Sequence, residues 1–129
     1  MSAANLTEKQ FSNLFDAFNR HDIEAIMEFF DEDCVFYTVA GEEVYGTRLQ
    51  GKKAIANAFS AVWTAMPDAR WDGHRHFVCG NRAVSEWTFF GTDATGARVE
   101  AEGCDLFTQR GGKITRKQAF RKNRPLLTA

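Results

Sequence analysis

The sequence predicts an α+β fold in which a long, curved antiparallel sheet wraps like a cone around three N-terminal helices, with a deep pocket at its open end. Two observations carry this expectation. Apolar residues recur at helical spacing only before Pro67, and beyond it four strand-like segments are joined by tight-turn signals. Consecutive strands joined in this way are antiparallel, and helices gathered ahead of them pack on one face. The 129 residues are expected to form one domain, because one core serves chains of about 100–200 residues. Only residues 122–129 look loosely held.

The elements follow in order. Thr7 and Gln10 form a capping box ahead of Phe11, Leu14, Phe15 and Phe18. Asn19, Arg20 and His21 break that helix. Asp22 can cap a second, short one with Ile23, Ile26, Met27 and Phe30 on one face. Asp31, Glu32 and Asp33 end it, and residues 34–39 are rich in β-branched and aromatic side chains. Gly41, Glu42 and Glu43 read as a turn, with Val44 and Tyr45 a short return strand. Ile55, Phe59, Val62, Trp63 and Met66 give a third helix its apolar stripe, which Pro67 stops. Residues 71–79, 83–90, 97–107 and 113–120 are the long strands. Gly80-Asn81, Asp93 to Gly96 and Gly111-Gly112 mark the turns between them.

Composition excludes several partners. The net charge of −1 gives no basic excess for nucleic acid. No apolar run approaches the roughly 20 residues that span a bilayer. Met1 to Asn5 lacks the basic and apolar regions of a secretory leader. Cys34, Cys79 and Cys104 are odd in number and lack metal-ligand spacing, so they read as reduced, half-buried strand residues of a cytoplasmic protein. No metal or cofactor is expected.

Alternation along residues 97–107 isolates one acid. Arg98, Glu100 and Glu102 share a wet face, whereas Val99, Ala101, Gly103, Asp105 and Phe107 share the other. A carboxylate on a small and apolar face must be paired, protonated or wet within a cavity, since burying it unpaired costs several kcal/mol, about 2–7 even as a neutral group. In the last strand Thr115, Lys117, Ala119 and Arg121 share a face, with Ile114, Gln118 and Phe120 opposite. An inward Lys117 would hold Asp105 ionised; the alternative is a solvated basic strand. His74 and His76 lie two apart on one face with Asp72, a spacing open to acid–base work, to metal binding or to ordinary hydrogen bonding.

The aromatic content is high: 12 Phe, three Trp and two Tyr in 129 residues. Phe11, Phe15, Phe18 and Phe30 belong to the core by periodicity. Phe59, Trp63, Trp87, Phe89 and Phe107 are candidate pocket-wall rings, and Tyr37 is a candidate hydrogen bonder to a ligand.

Five stretches carry a resemblance. The run from Phe18 to Val35 resembles the N-x-x-D … F-x-x-D-x-V opening of the nuclear transport factor 2-like superfamily. The segment from Gly46 to Ile55 resembles its entry to the third helix. Ser85 to Thr92, Asp105-Leu106-Phe107 and Gly112-Lys113-Ile114 resemble its sheet. The nearest branches look like the SnoaL-like polyketide cyclases and the ketosteroid isomerases. The resemblance implies a cone pocket, a small-molecule ligand and a homodimer formed across the sheets.

In ketosteroid isomerases an Asp base works with an oxyanion hole of Tyr and protonated Asp. The oxyanion Asp falls on Asp105, but the base falls on Thr38 and the Tyr on Leu14, so steroid isomerisation itself is not implied. In SnoaL-like cyclases an acidic or histidine residue near the Asp105 position acts as acid–base. Lys117 and Arg121 replace apolar pocket residues, which implies a more polar or anionic ligand. The limonene-epoxide-hydrolase arrangement Asp-Arg-Asp fails at Gly103.

The expectation is a cofactor-free acid–base enzyme, an isomerase or a cyclase, acting on a small, partly apolar carbonyl compound. Asp105 would lead, Lys117 and His76 would assist, and Arg121 would bind the ligand. The alternative is a non-catalytic ligand-binding or dimerisation module of the same fold.

Overall fold

The computed structural model describes residues 4–128. Helix α1 (Glu8–Asn19) begins at the expected capping box: Gln10 N–H donates to Thr7 Oγ1 at 3.2 Å, and Thr7 N–H donates to Gln10 Oε1 at 2.8 Å. Its apolar stripe buries Phe11, Leu14, Phe15 and Phe18. Asp22 caps α2 (Ile23–Met27) by accepting from Ala25 N–H. Between these helices His21 takes a left-handed φ of 57°, where its ring reaches the Ala69 carbonyl and stacks on Trp63.

Strand β1 (Phe30–Tyr37) starts earlier than expected. Phe30 opens the strand rather than closing the helix face, because it pairs with Ile114 far along the chain. The register then jumps from Phe30 to Val35, which bulges the intervening acidic run out of the ladder and leaves Glu32 and Asp33 in water. The return strand also differs. Val44 and Tyr45 form a turn tip closed by the Glu43–Gly46 bridge, and the strand that pairs with β1 is β2 (Arg48–Gln50). Helix α3 (Lys52–Ala65) follows and ends just ahead of Pro67.

Four long strands complete the chain: β3 (Arg70–Cys79), β4 (Arg82–Thr92), β5 (Arg98–Arg110) and β6 (Lys113–Arg121). The sheet is curved and unclosed, with six strands in the order β2-β1-β6-β5-β4-β3. All pairs are antiparallel except β1 with β6. That parallel pair arises because α3 and four strands intervene, long enough for a crossover. Helix α1 packs over β3 and α3 against β1, so the helices cover one face. The terminal stretch expected to be loose runs beside β5. Lys122 N–H donates to the Glu102 carbonyl, and Leu127 exchanges two backbone hydrogen bonds with Arg98.

Two irregularities decide which side chains point inward. In β6, Arg116 pairs with Thr108 but Ile114 with Gln109, leaving Thr115 as an extra, bulged residue. Ile114 and Lys117 are therefore both buried, whereas uninterrupted alternation placed Ile114 opposite Lys117. In β3 the register slips between Asp72 and Arg75, around Gly73 at φ 62°. Left-handed backbone favours glycine and builds a bulge. As a result His74 and His76 turn toward α1, while Asp72 leaves their face and pairs with Arg70.

Gly103 lies opposite Trp87 across β4 and β5. A Cβ there would stand 2.5 Å from Trp87 Cη2 and 2.4 Å from the Phe120 carbonyl oxygen. The missing side chain is the space that the indole occupies. Gly103→Ala is expected to destabilise the fold by about 1–3 kcal/mol through overpacking, measured by urea denaturation.

Candidate functional site

Asp105 is 1% exposed at the centre of β5, on the face that alternation assigned to it. Its Oδ2 accepts from Trp87 Nε1–H at 3.0 Å. Its Oδ1 lies 3.3 Å from Lys117 Nζ but accepts no directed hydrogen bond. Burial raises the carboxyl above the usual carboxylate range, and the Lys117 charge and the indole N–H oppose that rise.

Lys117 is 7% exposed and also lies among rings. Its Nζ is 4.4 Å from the Phe36 centroid, 5.2 Å from Phe59 and 5.5 Å from Phe18. Ring faces attract the ammonium electrostatically, so the cage offsets part of its desolvation. Lys113 and Arg116 on the same strand are exposed, so the solvated-strand alternative holds for them and not for Lys117. Arg121 is half-buried over Phe89 at 5.1 Å, and burial lowers its guanidinium below the usual value.

His76 also belongs to this face. Its Nδ1 is 2.7 Å from Ser85 Oγ, and Ser85 stands directly opposite Asp105 in the ladder. Burial first, then the neighbouring His74, lower His76 to about 4, with Asp16 acting against them. The ring is neutral at pH 7.

The expected wall rings divide. Phe59, Phe89 and Phe107 are buried in the core, and Phe107 is the ladder partner of Lys117. Trp87 touches Asp105. Trp63 stacks on His21 at 4.8 Å, away from the acid's contacts. Tyr37 lies on the outer face of β1, between Tyr45 and the Arg116 guanidinium. It is not brought to Asp105, because Phe36 takes the inward position. The cysteines also divide: Cys34 is buried, Cys104 half-buried and Cys79 exposed, all of them free.

Side chains facing away from the helices dominate the lining of a concavity of about 850 Å³, including Arg75, Glu86, Glu102, Cys104 and Phe120, with Tyr45 at its rim. Asp105 and Lys117 do not line it; Trp87, which does, hydrogen-bonds Asp105. The concave face around the acid is filled by rings. Among the described residues no group of three or more His, Cys, Asp or Glu side chains is placed to hold a metal ion.

Sequence reasoning missed Ser85 and Asp16. Ser85 could have been found as the one hydroxyl among Ala83, Trp87 and Phe89 on its strand face. Asp16 carries no local signal, because its partner His74 lies 58 residues away.

Helices on one face of a curved, unclosed sheet are the architecture of a small nuclear transport factor 2-like protein. The family model for the SnoaL-like domain matches residues 11–117, and the chain belongs to that family. Three solved structures show the same fold. A candidate polyketide cyclase from Pseudomonas putida KT2440 is 24% identical, with 92% of this chain and 93% of that one covered at a TM-score of 0.77. One from Xanthomonas campestris pv. campestris is 23% identical, with 87% of each chain covered and also 0.77. TerC, co-crystallised with polyporic acid, is 22% identical, with 87% and 88% covered at 0.73. No curated protein matches the chain. Among the described residues no helix is long and apolar enough to cross a membrane.

Two predictions follow from this geometry. Lys117→Met leaves Asp105 buried without its cation and is expected to cost about 3–5 kcal/mol, most of it recovered in Asp105→Leu/Lys117→Met. Because burial holds the folded carboxyl above its unfolded value, the deficit of the single variant should be smaller at about pH 4, where the acid is largely protonated, than at about pH 8. Urea melts at the two pH values check both statements. His76 has the opposite sign of effect. Its folded value lies below 6.5, so its stabilising contribution is present above that pH and lost as pH falls toward about 4. A loss of about 2 kcal/mol over that window, absent in His76→Gln, is expected in the same melts.

Proposed function

We propose that the protein binds a small, partly apolar carbonyl compound on the concave side of the sheet and transforms it by cofactor-free acid–base chemistry. The reaction class is isomerisation or aldol-type cyclisation. Asp105 is the principal acid–base or oxyanion group, with Lys117 as its electrostatic partner and His76 assisting. The observation that carries this reading is a nearly fully buried carboxyl, raised by burial and held between an indole N–H and an ammonium. Burial that raises a carboxyl makes it a better proton carrier for exchange with a carbon or oxygen acid.

Phe59, Phe89, Phe107 and Trp87 supply apolar contact, and Arg121 a cation for a polar or anionic group of the ligand. Access to Asp105 on this side requires the rings about Lys117 to shift, since they fill the space beside it. Tyr37, on the outer face of β1, and Trp63, stacked on His21, stand apart from Asp105. The polyporic acid held by TerC supports a small organic ligand. Two copies pair through the outer face of the sheet, where Phe77 and Phe120 are exposed. Three free cysteines are in keeping with a reducing, cytoplasmic setting.

A non-catalytic ligand-binding or dimerisation module is the second reading. It is favoured by Thr38 and Leu14 at the ketosteroid-isomerase base and Tyr positions. Thr38 Oγ1 donates to the Ala40 carbonyl at 2.7 Å within its loop, and Leu14 is fully buried.

The test is deuterium exchange at the α-carbon of a panel of aryl ketones in D2O, followed by NMR. Wild type should accelerate exchange of at least one member, and Asp105→Asn should lose on the order of 100-fold of that acceleration. Binding of a ketone with no exchange by wild type, or equal rates in the two proteins, would sink the enzymatic reading.

A further inference from the structure

Beneath the candidate acid lies a continuous polar chain. Ser85 Oγ is 2.7 Å from His76 Nδ1, His76 Nε2 is 2.9 Å from His74 Nδ1, and His74 Nε2 is 3.2 Å from Asp16 Oδ1. Exposure rises steadily along it. Ser85 is fully buried, the His74 side chain is 15% exposed and the Asp16 side chain 54%. Rings sheathe the middle. Phe15 lies 5.1 Å from the His76 centroid and 5.7 Å from His74, and Phe11 stacks on His76 at 6.4 Å.

The inner end lies opposite the acid, although no hydrogen bond joins Ser85 Oγ to Asp105. Ser85 and Asp105 are direct ladder partners on the buried face, and such pairs hold their Cβ atoms about 4.5–5.5 Å apart, within reach of hydroxyl and carboxyl. Asp105 Oδ1 faces Lys117 Nζ at 3.3 Å and accepts no directed hydrogen bond, which leaves it open to a transient bond with Ser85.

We propose that Ser85, His76, His74 and Asp16 form a proton relay that connects Asp105 to solvent. This inference rests on the acid–base reading of Asp105 and names the route by which its proton is renewed. An ionised Asp16 only accepts, so it orients the whole chain. His74 Nε2–H donates to Asp16, His76 Nε2–H to His74 Nδ1, and Ser85 Oγ–H to His76 Nδ1. Each neutral imidazole then carries one proton and uses both nitrogens.

Discharge of Asp105 moves one proton per link. The carboxyl proton passes to Ser85 Oγ and the hydroxyl proton to His76 Nδ1. The His76 Nε2 proton passes to His74 Nδ1, and the His74 Nε2 proton to Asp16, which releases it to water. Every O–H or N–H bond broken is matched by one formed. The net change is an ionised Asp105 and one proton delivered outside, and the return path recharges it.

The burial that keeps His76 neutral at pH 7 suits a carrier that passes protons without storing charge. The charged groups facing the chain are Asp16 from α1 at one end, and Asp105 with Lys117 at the other. Ser85 is no nucleophile, because it is fully buried.

The test reads proton exchange and needs no substrate. In wild type, the Asp105 ¹³Cγ resonance should move as one averaged line through its titration. Ser85→Ala should slow exchange of the carboxyl proton with water on the order of 100-fold, giving separate or broadened lines at an unchanged midpoint. Asp16→Asn, at a half-exposed site, should slow it too and shift the His74 ring-nitrogen tautomer seen by ¹⁵N NMR. Fast exchange retained in both variants would overturn the relay. Deuteration of an aryl ketone unaffected by Asp105→Asn would overturn the reading of Asp105 while leaving these exchange rates as they are.

Discussion

A carboxylate nearly sealed from water in the middle of a sheet constrains all that surrounds it. Transfer of such a group from water costs several kcal/mol unless partners replace the lost hydration, and Asp105 has recruited them from three strands. β4 supplies the Trp87 indole N–H and β6 the Lys117 ammonium. β5 itself supplies Gly103, whose absent side chain lets the indole lie flat enough to reach. The Thr115 bulge belongs to the same arrangement, because it lets Lys117 point inward while Ile114 still closes the end of the core.

Stability alone is a weak reason for such a pair. Well-packed apolar residues of similar volume do as well as a buried ion pair, or better by about 1–4 kcal/mol. The geometry also falls short of what maximal stability would use. Oδ1 faces the ammonium at 3.3 Å without a directed hydrogen bond, where an Arg could have bonded both oxygens. A carboxyl raised by burial and incompletely bonded is suited to changing its protonation state. The same trade separates it from the Asp93 carboxyl, which its turn holds below the usual range with bonds to Thr95 and Ala97.

Much of this was legible in the residues, and the exceptions share one cause. Strict alternation placed Asp105 among small and apolar neighbours, and the turn signals placed Lys117 within its reach; both are local patterns. The failures occur where the period of two is broken. The Gly73 bulge moved Asp72 off the histidine face, the Thr115 bulge moved Ile114 inward, and the displaced acidic run at 31–33 hid the true start of β1. A bulge changes every orientation beyond it, and its position depends on the partner strand. Tyr37 illustrates the parity problem in its simplest form, since one step along β1 separates the core side chain of Phe36 from the outer face. Asp16 was invisible for another reason: its meaning comes from His74, which only tertiary packing brings to it.

The aromatic excess is best understood through the polar groups it encloses. Phe18, Phe36 and Phe59 surround an ammonium, while Phe11 and Phe15 lie against two imidazoles. Aliphatic side chains would exclude water equally well, but they present no negative face to a cation and no flat wall to a ring. Exclusion of water strengthens each hydrogen bond inside and makes every unpaired atom costly. A chain of single hydrogen bonds therefore keeps its order only where no competing water can enter. The rings supply that dryness over the stretch from His74 to Ser85, and its absence at Asp16 lets the chain end in solvent.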